Sequence, residues 1–245
     1  MHLLEGEGVT RHFGGLAAVS EVDFYVDQGE IVGLIGPNGA GKTTLFNLIS
    51  GALKPKPGKI TFKGVDITPL KAHKICRMGI ARTFQTVKIF PHVPVVRNAM
   101  VGALFGTGHR ISSREAQKKA EQALEFVDLL PLKDVLAGDL TLANQKRLEV
   151  ARALASGPEL LMLDELMAGL TATEVAEAMG DIVQIRSRGI TVIMIEHVMQ
   201  AIMQVSDRII VLDYGRKLAE GSPAEVAANP KVIEVYLGEE CDVDS

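Results

Sequence analysis

Tryptophan is missing from this 245-residue chain, aromatic residues of all kinds make up only 4%, and cysteine occurs twice. Cys76 and Cys241 are too few and too far apart in sequence for a disulfide framework or a zinc site, which fits a reducing compartment. No run of about eighteen apolar residues occurs, so no segment is expected to span a membrane. An excess of positive charge is missing too. With 26 Lys and Arg against 30 Asp and Glu the net charge is −4, which gives no electrostatic footprint for nucleic acid, and no such partner is expected. The opening residues, Met1-His2-Leu3-Leu4-Glu5-Gly6-Glu7, have neither a basic stretch nor an apolar core for export, so a cytosolic protein is expected. Internal repeats and low-complexity segments are also absent. What remains, 47% hydrophobic and 23% charged residues, suits one large α/β domain or a core with a subdomain.

One stretch organises the rest: Gly36-Pro37-Asn38-Gly39-Ala40-Gly41-Lys42-Thr43, followed by Thr44. It fits the G-x-x-x-x-G-K-[ST] phosphate loop. The apolar run Glu30–Ile35 ahead of it reads as a buried strand. Behind it Leu45, Leu48 and Ile49 share a helical face, with Gly51 as a cap. In such a strand-to-helix turn, glycines let backbone N–H groups curl around phosphate oxygens, and the helix N-terminus adds a positive dipole. Lys42 would supply charge at the β/γ-phosphates and the Thr43 hydroxyl would be a Mg²⁺ ligand.

Residues 3–35 read as strands with turns at Gly14-Gly15 and Asp27-Gln28-Gly29; Val22, Phe24 and Val26 alternate with polar neighbours as in a half-buried strand. Phe13, beside the first turn, is either a core aromatic or a platform for adenine. A turn at Lys54–Gly58 and a strand at Lys59–Phe62 follow. Pro91 and Pro94 break any regular element there. Ser112-x-x-Glu115 predicts a capping box, opening a helix with Ala116, Ala120, Ala123, Leu124 and Val127 on one face. A second helix starts near Ala143, so residues 95–152 read as a helical insert. Apolar strands follow at Leu160–Glu165, Thr191–His197 and Arg208–Asp213, and Ser222-Pro223-Ala224-Glu225 opens a helix. Such strands alternating with helices predict a mostly parallel sheet covered on both faces.

A phosphate loop binds but does not by itself hydrolyse. Asp164, at the end of a buried strand, is the expected acidic partner of Mg²⁺. Glu165, one residue on, is assigned as general base or water-orienting group. His197 ends the next strand, where open α/β sheets collect ligand-binding residues, and a γ-phosphate contact is expected of it.

The order of these motifs, with Phe13, Gln85 and the Leu140-Thr141 segment, resembles the nucleotide-binding subunit of an ABC transporter over nearly the whole chain. Within that family it is most similar to the ATPase subunits of branched-chain amino acid importers. That likeness rests on Arg11–Leu16, Ala81–Gln85, Arg147–Arg152 and the run from Asn229 to Gly238. The resemblance implies an α/β P-loop NTPase core with a mostly parallel sheet, an antiparallel β subdomain and a helical subdomain. It places the ATP-binding core at about 1–94 and 153–245, and the helical subdomain with the signature segment at 95–152. Phe13 would stack on adenine, Gln85 would contact Mg²⁺ or its water and join the catalytic set of Lys42, Glu165 and His197, and His197 would be the switch histidine. ATP and Mg²⁺ are the implied cofactors. Implied partners are integral-membrane permease subunits, a second ATPase subunit in a homo- or heterodimer and, indirectly, a substrate-binding protein. The chain would sit peripherally on the cytoplasmic face of the membrane. The ATPase subunit of another transporter, such as a lipopolysaccharide exporter, and a nucleotide-gated binding protein with little hydrolysis are the alternatives.

The sequence also departs from the family. Where the signature reads Leu-Ser-Gly-Gly-Gln, this chain has Leu140-Thr141-Leu142-Ala143-Asn144. Thr141 keeps a hydroxyl for a γ-phosphate across a dimer. Ala143 replaces a glycine, bringing a Cβ and losing freedom at positive φ. Leu166 stands where Pro is usual, and Thr171 where Asp or Asn is common at the dimer contact. A complete Walker-type half-site beside a weakened signature half-site is expected. The acidic residues after Gly238 are expected to lack regular structure.

Overall fold

The structure, a computed structural model, describes residues 2–106 and 108–241. In chain order its elements are β1 (Leu4–Phe13), β2 (Leu16–Val26), β3 (Ile31–Ile35), α1 (Lys42–Ile49), β4 (Lys59–Phe62), β5 (Val65–Asp66), α2 (Ala72–Arg77), β6 (Ile80–Arg82), α3 (Val95–Gly106), α4 (Ser113–Phe126), α5 (Leu142–Ala155), β7 (Leu160–Asp164), α6 (Ala172–Ser187), β8 (Thr191–Ile195), α7 (Met199–Val205), β9 (Arg208–Asp213), β10 (Arg216–Gly221), α8 (Pro223–Ala227) and α9 (Pro230–Cys241). They form two compact units, one from the chain up to Lys71 and from Thr191 onward, the other from Ala72–Ile190.

In the first unit, β2, β1, β4 and β5 form an antiparallel sheet. Its pleat follows the sequence pattern: Val22, Phe24 and Val26 are buried while Glu21 and Asp23 are exposed. In the same unit β3 lies between β8 and β9 and runs parallel to both, with β10 antiparallel to β9. Strands β3 and β8 are buried at every residue, which is why they read as continuous apolar runs rather than alternating ones. A Cβ on Gly33 would come within 2.9 Å of Ile202 and Ser206, so α7 packs closely on β3. Arg208 ties strand ends together: its guanidinium donates to both Glu30 oxygens at 2.8 and 2.9 Å, to Glu220, and to the Tyr25 carbonyl.

In the second unit β6 and β7 pair in parallel, and α3, α4 and α5 pack on one another. The small-residue stripe Ala116, Ala120, Ala123 and Leu124 is the buried face of α4, and the Ser112 hydroxyl accepts from the Glu115 N–H at its start. A Cβ on Gly102 of α3 would lie 1.9 Å from the Arg152 carbonyl, so the α3–α5 crossing needs a glycine there. Buried Asn98 shapes the turn at Pro91–Pro94 by accepting from Phe90 N–H and donating to the Phe90 and Val93 carbonyls.

Several elements differ from the sequence expectations, among them β8, which ends at Ile195 and not at His197. Strand β7 stops at Asp164, because Glu165 adopts a left-handed backbone with φ 51° that no strand continues. Helix α6 starts with a complete capping box from Thr171 and Glu174, a signal the sequence reading passed over; Ser222 and Glu225 form the other complete box, at α8, as expected. The helix α9 carries the chain through Glu239 to Cys241, where no regular structure was expected; the last four residues of the acidic tail lie outside the described residues.

Candidate functional site

The phosphate loop belongs to the first unit. Strand β3 ends at Ile35, the loop turns over Gly36–Gly41, and α1 begins at Lys42. Gly36 (φ 148°) and Gly41 (φ 100°) hold conformations that disfavour any side chain, and an added Cβ would meet the Leu212 carbonyl at 2.1 Å or the Ala18 carbonyl at 2.3 Å. Gly41, at the N-cap of α1, offers no side-chain cap, and no acidic residue sits in the first turn. No side chain of the first turn thus competes with an outside anion, which the helix dipole favours at this end. The Lys42 ammonium, on a buried side chain, donates to the Gly36 and Pro37 carbonyls at 2.5 and 2.8 Å, so it is folded over the loop itself. Asn38, Gly39 and Thr43 are exposed, Ala40 is buried, and Pro37 and Thr44 lie between. Every part of this cradle fits a nucleotide's phosphates.

His197 is in the same unit and exposed. Strand β8 runs beside β3 with Ile195 in register with Leu34. His197 and Gly36 thus lie the same two residues beyond paired positions of parallel neighbours. Phe13 ends β1 at the Gly14-Gly15 hairpin and is 46% exposed, with the Arg11 guanidinium 5.2 Å from its ring centroid. The core reading of Phe13 is thereby removed. The hairpin's returning strand supplies Ala18, whose carbonyl would meet a Cβ on Gly41.

The second unit brings Gln85, Asp164 and Glu165 together. Asp164 is buried to 1% of its side chain; its Oδ2 accepts from Arg82 Nη2 at 2.6 Å and its N–H donates to the Thr83 hydroxyl. Its Oδ1 is buried with no hydrogen-bond partner among the described residues. A buried carboxylate oxygen without a donor is costly unless something positive takes it, and a divalent cation or its water would fit. The Gln85 amide donates to Glu165 Oε2 at 2.8 Å, which leaves its carbonyl oxygen for a cation or water.

Helix α5 carries the signature positions. Thr141 is its exposed N-cap and its hydroxyl accepts from the Asn144 N–H at 3.3 Å, so the O–H can still donate outward. Ala143 lies in the first turn and is not among the residues of positive φ. The expected loss of freedom at positive φ is therefore corrected: this residue needs only ordinary helical backbone, and its Cβ lines a cavity with Val127 and Val150. Thr171 caps α6.

Sequence reasoning assigned no role to Arg82, Lys146, Glu149 or Arg152. Buried Glu149 accepts from the Lys88 N–H at 2.8 Å and from Arg152, whose guanidinium also donates to the Lys88 carbonyl. Burial pushes the Glu149 carboxyl above its usual range, against those donors, and pushes Arg152 down. The i, i+3 spacing of Glu149 and Arg152 within an apolar helix was the available signal.

Comparison with known proteins bears on the whole chain. Residues 19–168 match the family described as ABC transporter, and residues 216–242 match the branched-chain amino acid ATP-binding cassette transporter family. The chain is 42% identical to the high-affinity branched-chain amino acid transport ATP-binding protein BraF of Pseudomonas aeruginosa, covering 97% of this chain and 98% of that one. It is 40% identical to LivG of Escherichia coli, described in the same words, with the same coverage. A crystal structure of the ADP conformation of an ATP-binding cassette of an ABC transporter superposes with a TM-score of 0.88 at 32% identity, over 97% of this chain and 99% of that one. The chain belongs to the ABC transporter family, as an ATP-hydrolysing, nucleotide-binding subunit that energises transport.

Proposed function

We propose that this subunit energises an importer of branched-chain or similar hydrophobic amino acids. The similarity to BraF and LivG over 97% of the chain, reaching through the C-terminal segment, carries the reading. It favours an amino-acid importer over a lipopolysaccharide exporter. Residues 1–94 and 153–245 form the ATP-binding core, and residues 95–152 the helical subdomain. The chain docks peripherally on the cytoplasmic face of integral-membrane permease subunits, pairs with a second ATPase subunit, and answers indirectly to a substrate-binding protein.

In this reading Phe13 stacks on adenine, and Gly36–Thr44 cradle the phosphates through main-chain N–H groups and the Lys42 ammonium. Mg²⁺ would be held by Thr43, Asp164 and Gln85, and would supply positive charge against the phosphate oxygens. Glu165 orients the attacking water and accepts its proton as the bond from the γ-phosphorus to the bridging oxygen breaks. The Gln85 amide, 2.8 Å from the Glu165 carboxylate, holds that base in place. His197 steadies the γ-phosphate, and Thr141 with Ala143 faces the phosphate of a partner subunit. In a homodimer both sites carry this weakened signature; in a heterodimer this chain's phosphate loop can meet a full one.

Sedimentation of Glu165→Gln with and without Mg-ATP tests the reading. Removing the base traps the ATP-bound dimer, so an ATP-dependent dimer with no turnover is expected. A monomer that binds ATP assigns the missing surface to another chain. Failure to bind ATP overturns the site. Uptake of leucine by vesicles holding the chain and its permease tests the substrate, and ATP-independent uptake would refute it.

A further inference from the structure

We infer that Lys146 is a positioning residue for the catalytic carboxylate, tying the signature helix of each chain to that chain's own Glu165. The inference rests on the assignment of Glu165 as the base. Lys146 lies one turn into α5 and is only 6% exposed. Its ammonium donates to three main-chain carbonyls: Glu165 at 3.2 Å, Leu166 at 2.8 Å and Ala168 at 2.5 Å. An ammonium has three N–H bonds, and here each has an acceptor on the segment that follows β7.

That segment holds a shape its backbone does not favour. Glu165 is non-glycine at φ 51°, a conformation most side chains avoid and which persists only where its surroundings impose it. The turn's own backbone bonds are long, Ala168 N–H to Glu165 carbonyl at 3.4 Å and Leu170 N–H to Met167 carbonyl at 3.2 Å. Leu166 and Leu170 line a cavity shared with Val150 and Ile182. Bonds from a charged donor are the shorter and stronger kind. Bonds from two distant side chains thus reach Glu165: Gln85 on its carboxylate and Lys146 on its carbonyl. The same helix begins at Thr141 and Ala143. A tilt of α5 on engaging a partner's nucleotide would be transmitted through Lys146 to the base of its own chain, a physical route for coupling two sites.

The test is steady-state ATPase, nucleotide affinity and amide exchange on the full chain carrying Lys146→Met, with Lys146→Arg as the conservative variant. Lys146→Met is expected to lower kcat about tenfold while nucleotide affinity stays within about twofold, because only the positioning of the base is lost. Exchange across residues 164–170 is expected to rise. Lys146→Arg, which keeps charge and several donors, is expected to restore both. If Lys146→Met folds poorly, Lys146→Gln replaces it, with an intermediate loss expected. In a Glu165→Gln background, Lys146→Met should remove nothing further from residual turnover; an additive loss overturns the inference. So does an unchanged kcat, unchanged exchange, or a parallel loss of kcat and nucleotide affinity. If Glu165→Gln alone leaves turnover intact, the assignment of the base fails and this inference falls with it. If Glu165→Gln abolishes turnover while Lys146→Met does not reduce it, only the inference falls.

Discussion

Replacing Arg82 by methionine isolates what holds the Asp164 carboxylate in place. The side chains of Arg82 and Asp164 are only 7% and 1% exposed, and one guanidinium nitrogen lies 2.6 Å from Asp164 Oδ2. Oδ1 has no hydrogen-bond partner among the described residues, so the carboxylate leans on the guanidinium at Oδ2. Methionine keeps most of the length and the apolar stem but removes the charge. Breaking a buried pair from one side leaves the other charge uncompensated, which costs about 3–5 kcal/mol. Arg82 also lies 5.2 Å from the Phe84 ring centroid, a contact worth about 0.5–1 kcal/mol at a partly exposed ring, too small to account for a loss of that size.

The double variant Arg82→Met with Asp164→Asn removes both charges and should recover much of the cost, giving a coupling energy of about 2–3 kcal/mol in a double-mutant cycle. Urea unfolding followed by circular dichroism measures all four corners. Half-molar sodium chloride should change the coupling little, since buried pairs are screened far less than surface ones. A loss below about 1 kcal/mol for Arg82→Met, or additive single losses, would refute the reasoning, because those are values of an exposed pair.

Burial pushes the Asp181 carboxyl up to about 6, with Arg147 opposing and Asp128 and Glu177 reinforcing the shift. A raised folded-state pKa adds stability below the unfolded value of 3.8 that is lost as pH rises through about 6. Asp181→Asn should therefore gain about 1 kcal/mol at pH 8, discounted from the full shift because the side chain is only partly buried, and nothing at pH 4; thermal melts at both values check it, and an equal effect at both refutes it. Gly41→Ala forces a Cβ to 2.3 Å from the Ala18 carbonyl at φ 100°. It should lower stability by about 2–4 kcal/mol and nucleotide affinity more than tenfold, seen by titration with a fluorescent ADP analogue; unchanged affinity would detach the loop's shape from its function.

The phosphate loop was legible because everything it needs is local: a buried strand, glycines where a side chain has no room, and a helix left uncapped for an anion. Asp164 and Glu165 were legible as the end of an apolar run. Their supports were not, because they arrive from far along the chain. Arg82 reaches Asp164 across 82 residues and Lys146 reaches Leu166 across 20, and no periodicity marks either. The cap at Thr171 was passed over for a different reason. Attention went to its departure from the family, while Thr171-x-x-Glu174 spelled the same cap that Ser222-x-x-Glu225 made legible at α8.

Ala143 shows how a departure from a family pattern becomes physics only through backbone geometry. A glycine replaced at positive φ would strain the helix start; a glycine replaced in a helical first turn does not, and alanine favours that turn. What changes is confined to what α5 presents outward. Thr141 and Leu142 are exposed, while Lys146 and Glu149 one and two turns on are buried and hold the segments at Glu165 and Lys88. Substitution at the tip alters the exposed surface without loosening the grip of the helix on its own chain. The tip of α5 can vary while its grip on its own chain is kept, because its first turn and its later turns answer to different neighbours.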